Sequence, residues 1–224
     1  MAMVPLVGCT VADPNDNEET DSSTDALKAV ATGCDYAWSR PSPGMLKGQG
    51  FSFVARYLSY DTTGKNLDSS EEHSLEKHDL DIVLVWEWSA DDALKGYNKG
   101  VEDAHAAEKQ AFALGMPHSR PLYFAVDFDA TPGQEGAIGS YFDGVAHVLG
   151  RDRTGAYAGY NVIKHLFDNH KITWGWQTYA WSGGKWDKRA QLRQVLNGID
   201  GGDVDKDVAV KADFGQWDQH GSAT

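Results

Sequence analysis

Cysteine is almost absent. The chain of 224 residues carries only Cys9 and Cys34, which excludes a disulfide framework and a four-thiolate metal site; whether these two pair is left open. Long apolar runs are missing too, since none approaches the roughly 20 residues that a membrane-spanning helix needs. Basic residues are outnumbered, with 20 Lys and Arg against 33 Asp and Glu, for a formal net charge of -13. Such a surface repels phosphate backbones, and no basic stripe offsets it, so a nucleic-acid partner is not expected. The 8 histidines show no compact ligand spacing. No HExxH motif, phosphate loop or GxSxG elbow occurs either, which leaves zinc-peptidase, nucleotide-binding and serine-esterase readings without local support. Neither a metal nor a cofactor is expected.

What is present fits one sizeable core, and the length does not suit two domains of ordinary size. Met1 to Cys9 lacks the charged start and full apolar centre of a complete signal peptide. Leu6-Val7-Gly8-Cys9 does look like the end of a bacterial lipoprotein signal, which matters if translation starts further upstream. Residues 10 to 28 are polar and acidic and offer little to bury, so positions 1–29 are expected to form a flexible acidic arm and 30–224 the folded domain.

Within that domain, short apolar runs alternate with helical or loop segments. The runs are Ala31 to Trp38, Phe51 to Tyr57, Ile82 to Trp88, Pro121 to Phe128, Gly155 to Tyr160, Ile172 to Tyr179, Leu192 to Leu196 and Val204 to Val210. This order predicts an α/β protein with mostly parallel strands, and eight candidate strands close naturally into a TIM-like (β/α) barrel. A complete eightfold barrel usually takes about 250 residues, so some crossover helices must be shortened or missing, especially after the sixth and seventh strands. Val101, Ala104, Ala107, Ala111 and Leu114 mark one helix between Asp91 and Leu114. Thr131-Pro132-Gly133-Gln134 forms a capping box that opens another, whose buried side carries Ile138, Phe142, Val145 and Leu149.

The most informative segment is Pro121-Leu-Tyr-Phe-Ala-Val-Asp127-Phe-Asp129. Alternation along a strand puts Leu122, Phe124, Val126 and Phe128 on one face and Tyr123, Ala125, Asp127 and Asp129 on the other. The second face is expected to look into the barrel, with both acids at the C-terminal mouth where barrel enzymes hold their chemistry. Two acids so spaced have Cα atoms roughly 6 to 7 Å apart and can divide the labour of glycoside cleavage, one ionised and one holding a proton; capping of the next helix or cation binding is the alternative. Asp35, at the end of the first run, and Asp205, in the period-two series Asp203, Asp205 and Asp207, are further candidates for the mouth. Glu87 is another, depending on strand register. An Asx turn, a loop salt bridge and a solvated acidic turn are the plain structural alternatives for these three; the last cluster does not match an EF-hand loop.

Aromatic residues near the strand ends suit the apolar faces of sugar rings. Tyr36, Trp38, Tyr57, Trp88, Tyr160, Trp176 and Trp181 are the candidate substrate contacts, although several must belong to the core. Arg56, beside Tyr57, is added to them; a buried arginine needs a carboxylate, and Asp35 or Glu87 on a neighbouring strand would serve.

Taken in order, Gly33-Cys-Asp35, Phe53-Val-Ala-Arg56-Tyr57, Leu122-Tyr-Phe-Ala-Val-Asp127-Phe-Asp129, Gly155-Ala-Tyr-Ala-Gly-Tyr160 and Asp203-Val-Asp205-Lys-Asp207-Val-Ala resemble the glycoside-hydrolase-like domains of actinobacteria and their phages. Those domains look like distant relatives of the Chalaropsis-type lysozymes, N-acetylmuramidases with a compact β/α barrel. The resemblance runs from Ala31 to Trp217 and is most specific in the fourth-strand segment. It implies a hydrolase acting on the glycan strand of peptidoglycan at the bacterial cell wall. Asp35 and Asp127 match the lysozymes' first- and fourth-strand aspartates, Asp129 matches the glutamate that acts as general acid, and Asp205 matches the aspartate near the last strand. Asp129 is one methylene shorter than that glutamate, so either the backbone approaches the sugar more closely or another acid such as Glu87 donates the proton. Two other functions fit the same residues: a glycan-binding module without catalysis, and a phage structural protein that keeps the barrel as scaffold.

Overall fold

The computed structural model describes residues 28–199, 201 and 203–217. Most of the expected acidic arm, with Cys9 and the lipoprotein-like stretch before it, lies outside the described residues. Eight strands form a closed barrel in sequence order: β1 (Ala31–Tyr36), β2 (Phe53–Leu58), β3 (Asp81–Trp86), β4 (Leu122–Ala125), β5 (Thr154–Ala158), β6 (Trp174–Thr178), β7 (Leu192–Ile199) and β8 (Val204–Ala209). Neighbours from β1 to β7 pair in parallel, whereas β8 runs antiparallel to both β7 and β1. That reversal lets a hairpin replace one crossover: β7 turns directly into β8 at the mouth, where Ile199 pairs with Val204.

Among the described residues, five α-helices accompany the strands: α1 (Pro43–Gly48), α2 (Ser69–Lys77), α3 (Tyr97–Ala113), α4 (Glu135–Leu149) and α5 (Tyr160–Asp168). None follows β6 or β7, so the shortfall of helices falls where chain length requires it. Local chemistry sets the helix starts. Ser42 accepts the Met45 amide at the head of α1, and Asp68 accepts the Glu71 amide at the head of α2. The capping box at Thr131 and Gln134 forms and opens a single 3-10 turn, from which α4 continues. The helix expected from Asp91 is broken near its start. Residues Asp92–Lys95 make a 3-10 turn, and Gly96, at φ 73°, resets the direction before α3 begins.

Strand alternation sorts the side chains into two cores. Outward residues such as Val54, Leu84, Phe124 and Ala156 pack against the helices, while Phe53, Ala55, Val83, Val85, Tyr123, Ala125, Trp176, Leu192 and Ala209 fill the barrel. Full burial of an aliphatic or aromatic side chain contributes roughly 1.5 to 3 kcal/mol, so this inner filling is a large part of what holds the cylinder shut. After β8 the chain turns back under the barrel. Phe214 stacks on Phe53 with ring centroids 4.7 Å apart, and its carbonyl accepts the Tyr123 hydroxyl at 2.8 Å. The lower end is thereby plugged, leaving the mouth as the end where inward-facing side chains meet a cavity.

Candidate active site

The inward series of each strand becomes polar toward the mouth. On β1 it runs Ala31, Gly33, Asp35; on β2 Phe53, Ala55, Tyr57; and past β3 and β4 it continues to Glu87 and Asp127. Because β8 is reversed, its polar end is its beginning, so Asp205 enters at the same level and pairs in register with Asp35. Tyr57, Val85, Glu87, Ala125, Asp127, Tyr157, Trp176, Gln194, Asn197 and Asp205 line a cavity of about 130 Å³.

One wall is organised by Gln194 of β7. Its carbonyl oxygen accepts the hydroxyls of Tyr157 and Thr178, both at 2.8 Å, which turns its amide nitrogen toward two acids: Asp35 at 2.9 Å and Asp205 at 3.2 Å. Asp35 also accepts the Tyr57 hydroxyl at 2.9 Å, and Asp205 accepts the Gly198 amide at 2.8 Å. Below them Asp207 accepts the Trp176 indole N–H at 2.9 Å. Burial, reinforced by the charge of Asp205, pushes the Asp35 carboxyl up to about 6. Burial raises Asp205 as well.

The opposite wall carries Asp127, Glu87 and Lys65. Asp127 lies just past the end of β4, held by its backbone N–H to the Ala90 carbonyl at 3.3 Å. Burial, then the charges of Glu87 and Asp205, raise it to about 6 against the opposing pull of Lys65. Lys65 is itself buried and grips Glu87 at 2.6 Å, with its ammonium 5.0 Å from the centre of the Tyr57 ring. The site therefore holds acids that remain protonated to higher pH than an exposed aspartate, beside a carboxylate fixed in an ion pair. Such an arrangement can give and receive protons near neutrality.

The side chains singled out in the sequence divide into three groups. Asp127, Glu87, Asp205, Tyr57 and Trp176 line the cavity, and Asp35 is tied to it through Tyr57 and Gln194. Trp38, Trp88 and Trp181 stand in segments just beyond the C-terminal ends of β1, β3 and β6, respectively 60%, 49% and 40% exposed. Tyr160 begins α5, its amide bound to Ser182. Asp129, Tyr36 and Arg56 lie elsewhere. β4 ends at Ala125, so strict alternation does not extend to Asp129, which is exposed and outside the cavity lining. Arg56 and Tyr36 occupy outward positions. The guanidinium stacks on the Tyr36 ring at 4.4 Å and pairs with Glu71 of α2 at 2.8 and 3.0 Å, which corrects the expectation of Asp35 or Glu87 as its partner.

Sequence reasoning overlooked Lys65, Tyr157, Gln194 and Asn197, and passed over Asp207 in favour of its neighbour. Period two on β8 carried a signal for Asp207, because it places that residue on the face of Asp205. Gln194 and Lys65 carry no comparable local mark; their roles exist only once the barrel has closed.

Residues 45–209 match the family described as Rv2525c-like, glycoside hydrolase-like domain. Among solved structures, the Mycobacterium tuberculosis Tat-secreted protein Rv2525c, crystallised in complex with L-tartrate, is 28% identical with a TM-score of 0.79, covering 84% of this chain and 100% of its own. A family 25 glycosyl hydrolase from Bacillus anthracis shares the fold at 13% identity, with a TM-score of 0.58 over 83% of this chain and 91% of the other. The uncharacterized protein FadG of Bacillus subtilis is 30% identical over 128 residues, which is 52% of this chain; the chain spans only 22% of that relative's length. With 165 matched positions from 45 to 209, this chain belongs to the Rv2525c-like, glycoside hydrolase-like domain family.

Proposed function

We propose that this protein hydrolyses glycosidic bonds in the glycan strand of peptidoglycan, in the manner of a muramidase, with Asp127 as proton donor. The observation that carries this reading is the placement of Asp127, raised to about 6, in one small cavity with Asp205 and close to Asp35. Protonated Asp127 gives its proton to the glycosidic oxygen as the bond from that oxygen to the anomeric carbon breaks. Positive charge then grows on the sugar, and the carboxylates of Asp205 and Asp35 on the facing wall stabilise it. A water molecule adds to the anomeric carbon and releases its proton to a carboxylate, leaving a new reducing end. Trp38, Trp88 and Trp181 provide exposed flat surfaces around the mouth for neighbouring sugars. Resemblance to the lysozymes favoured Asp129 as donor; its exposure and its position outside the cavity lining favour Asp127 instead. The secretion recorded for Rv2525c supports action outside the cytoplasm, at the cell wall.

Reducing-end release from purified peptidoglycan tests the proposal. The wild type and Asp129→Asn are expected to release them, and Asp127→Asn is expected not to. Glycan retention by a wild type that releases no reducing ends would leave a glycan-binding module, a reading supported by the same exposed tryptophans.

A further inference from the structure

Beneath the cavity two carboxyl groups face each other without a cation between them. Asp207 is wholly buried; its Oδ1 takes the Trp176 N–H, and among the described residues its Oδ2 meets no N–H or O–H donor. Asp35, on the adjoining strand, is 2% exposed and already accepts from Tyr57 on one oxygen and from Gln194 on the other. Among the described residues, the titratable groups acting on Asp207 are Asp35 from β1, Asp205 from its own strand and, across the interior, Tyr157 from β5. All are acids. Two ionised carboxylates in this setting would repel each other, and the bare Oδ2 would be a buried acceptor with nothing to accept. A single proton removes both costs, because a protonated carboxyl becomes a donor. Its place follows from the partners: Asp35 has two donors that favour its ionised form, whereas Asp207 has one.

We infer that Asp207 is a carboxylic acid at neutral pH, that its Oδ2–H donates to Asp35, and that it acts as a positioning residue for Asp35. Burial and the negative charge of Asp35 push Asp207 well above the usual carboxylate range, in agreement with that assignment. A continuous chain of donors results, from Trp176 to Asp207 to Asp35, with Gln194 joining Asp35 to Asp205. Asp35 is thereby held in one orientation, with its charge directed toward the cavity. Its part in glycan cleavage rests on the function proposed above; the proton on Asp207 does not.

Asp207→Asn tests this directly, because asparagine can donate to Asp35 and accept from Trp176 without a titratable proton. The pH dependence of unfolding gives the difference in bound protons between the folded and unfolded states. Near neutral pH the Asn variant is expected to take up one proton fewer on folding than the wild type. It is also expected to retain peptidoglycan cleavage within a few-fold, with an unchanged pH profile, whereas Asp207→Ala loses kcat more than KM. Equal proton uptake by Asn variant and wild type, or loss of cleavage as complete in Asn as in Ala, would overturn the assignment. Infrared spectroscopy of the wild type at about pH 8, above the range near 6 where Asp35 and Asp127 ionise, can overturn the inference even if the variants do not fold. A protonated-carboxyl band in the buried protein is expected, and its absence overturns the inference. A wild type inactive on peptidoglycan would remove the proposed function, while the proton count and the infrared band still report on Asp207.

Discussion

The amide nitrogen of Gln194 lies 2.9 Å from Asp35 and 3.2 Å from Asp205, joining acids that are 170 residues apart in the chain. Its opposite end is fixed by Tyr157 and Thr178, so the amide has one satisfied orientation. Gln194→Leu removes a donor from one buried and one half-buried carboxylate and leaves two hydroxyls without their acceptor. A loss of about 1 to 3 kcal/mol in unfolding free energy is expected, read by denaturant titration. The loss should grow as pH rises, because ionised Asp35 and Asp205 most need the missing donor.

The proposed role of Asp127 fixes the direction of pH dependence. The group must be protonated to act, and its folded value of about 6 lies above the ordinary aspartate value of 3.8. Activity on peptidoglycan is therefore expected to fall as pH rises through about 6. The same shift affects stability: the folded state holds the proton more tightly than the unfolded chain, so stability present below the unfolded value declines until Asp127 has ionised. Asp127→Asn should accordingly abolish cleavage while raising Tm at neutral pH by a few degrees. A pH–rate profile and a calorimetric scan of the two proteins check both parts.

Lys65 opposes the rise of Asp127 and neutralises Glu87. Replacing it with methionine keeps much of the apolar stem but removes the cation, leaving Glu87 unpaired in a largely buried position. Stability is expected to fall by about 3 kcal/mol. The alkaline limb of the activity profile should move to higher pH, since Asp127 will hold its proton longer.

Arg56 provides the contrasting case. It is buried on the outer side of the wall, against Glu71 and the Tyr36 ring. Arg56→Met is expected to destabilise the fold by about 3 kcal/mol and to leave glycan affinity unchanged, as measured by binding to purified peptidoglycan below the variant's Tm. Loss of affinity at full foldedness would place Arg56 in the site after all.

The helix pair α3 and α4 depends on two glycines at its crossing. A Cβ on Gly100 would stand 2.0 Å from the Tyr141 carbonyl oxygen, and one on Gly144 would stand 2.1 Å from that of Tyr97. Backbone cannot yield as a flexible side chain does, so either alanine substitution must push the helices apart. A cost of at least about 1 to 3 kcal/mol is expected, visible as a lower Tm with α-helical circular dichroism retained at low temperature.

These residues show why some of the molecule was legible in the sequence and some was not. Alternation at Leu122 to Ala125 and the helical stripes of α3 and α4 are local patterns, and they located strands, helices and the inward face. The same reasoning extended alternation to Asp129, where the strand has already ended. It also reached toward a neighbouring strand for the partner of Arg56, although an outward side chain meets the helix layer and hence Glu71. Gln194 and Lys65 escaped notice because a neutral amide or a loop lysine acquires meaning only from partners that tertiary closure supplies. The antiparallel run of β8 is likewise a property of the closed sheet, since a strand's residues do not encode the direction in which it is met.

The reversed β8 ties the acid network to closure of the whole barrel. Asp35 arrives with the first strand, but Gln194, Asp205 and Asp207 arrive with the last two, and β1 pairs directly with β8. Contacts of such long sequence separation form late and at high entropic cost. A polypeptide still emerging from the ribosome, or cut short before β7, holds only fragments of the acid network. Completion of the cylinder and assembly of the cavity are one event, so the acid network is incomplete until β8 has joined β1.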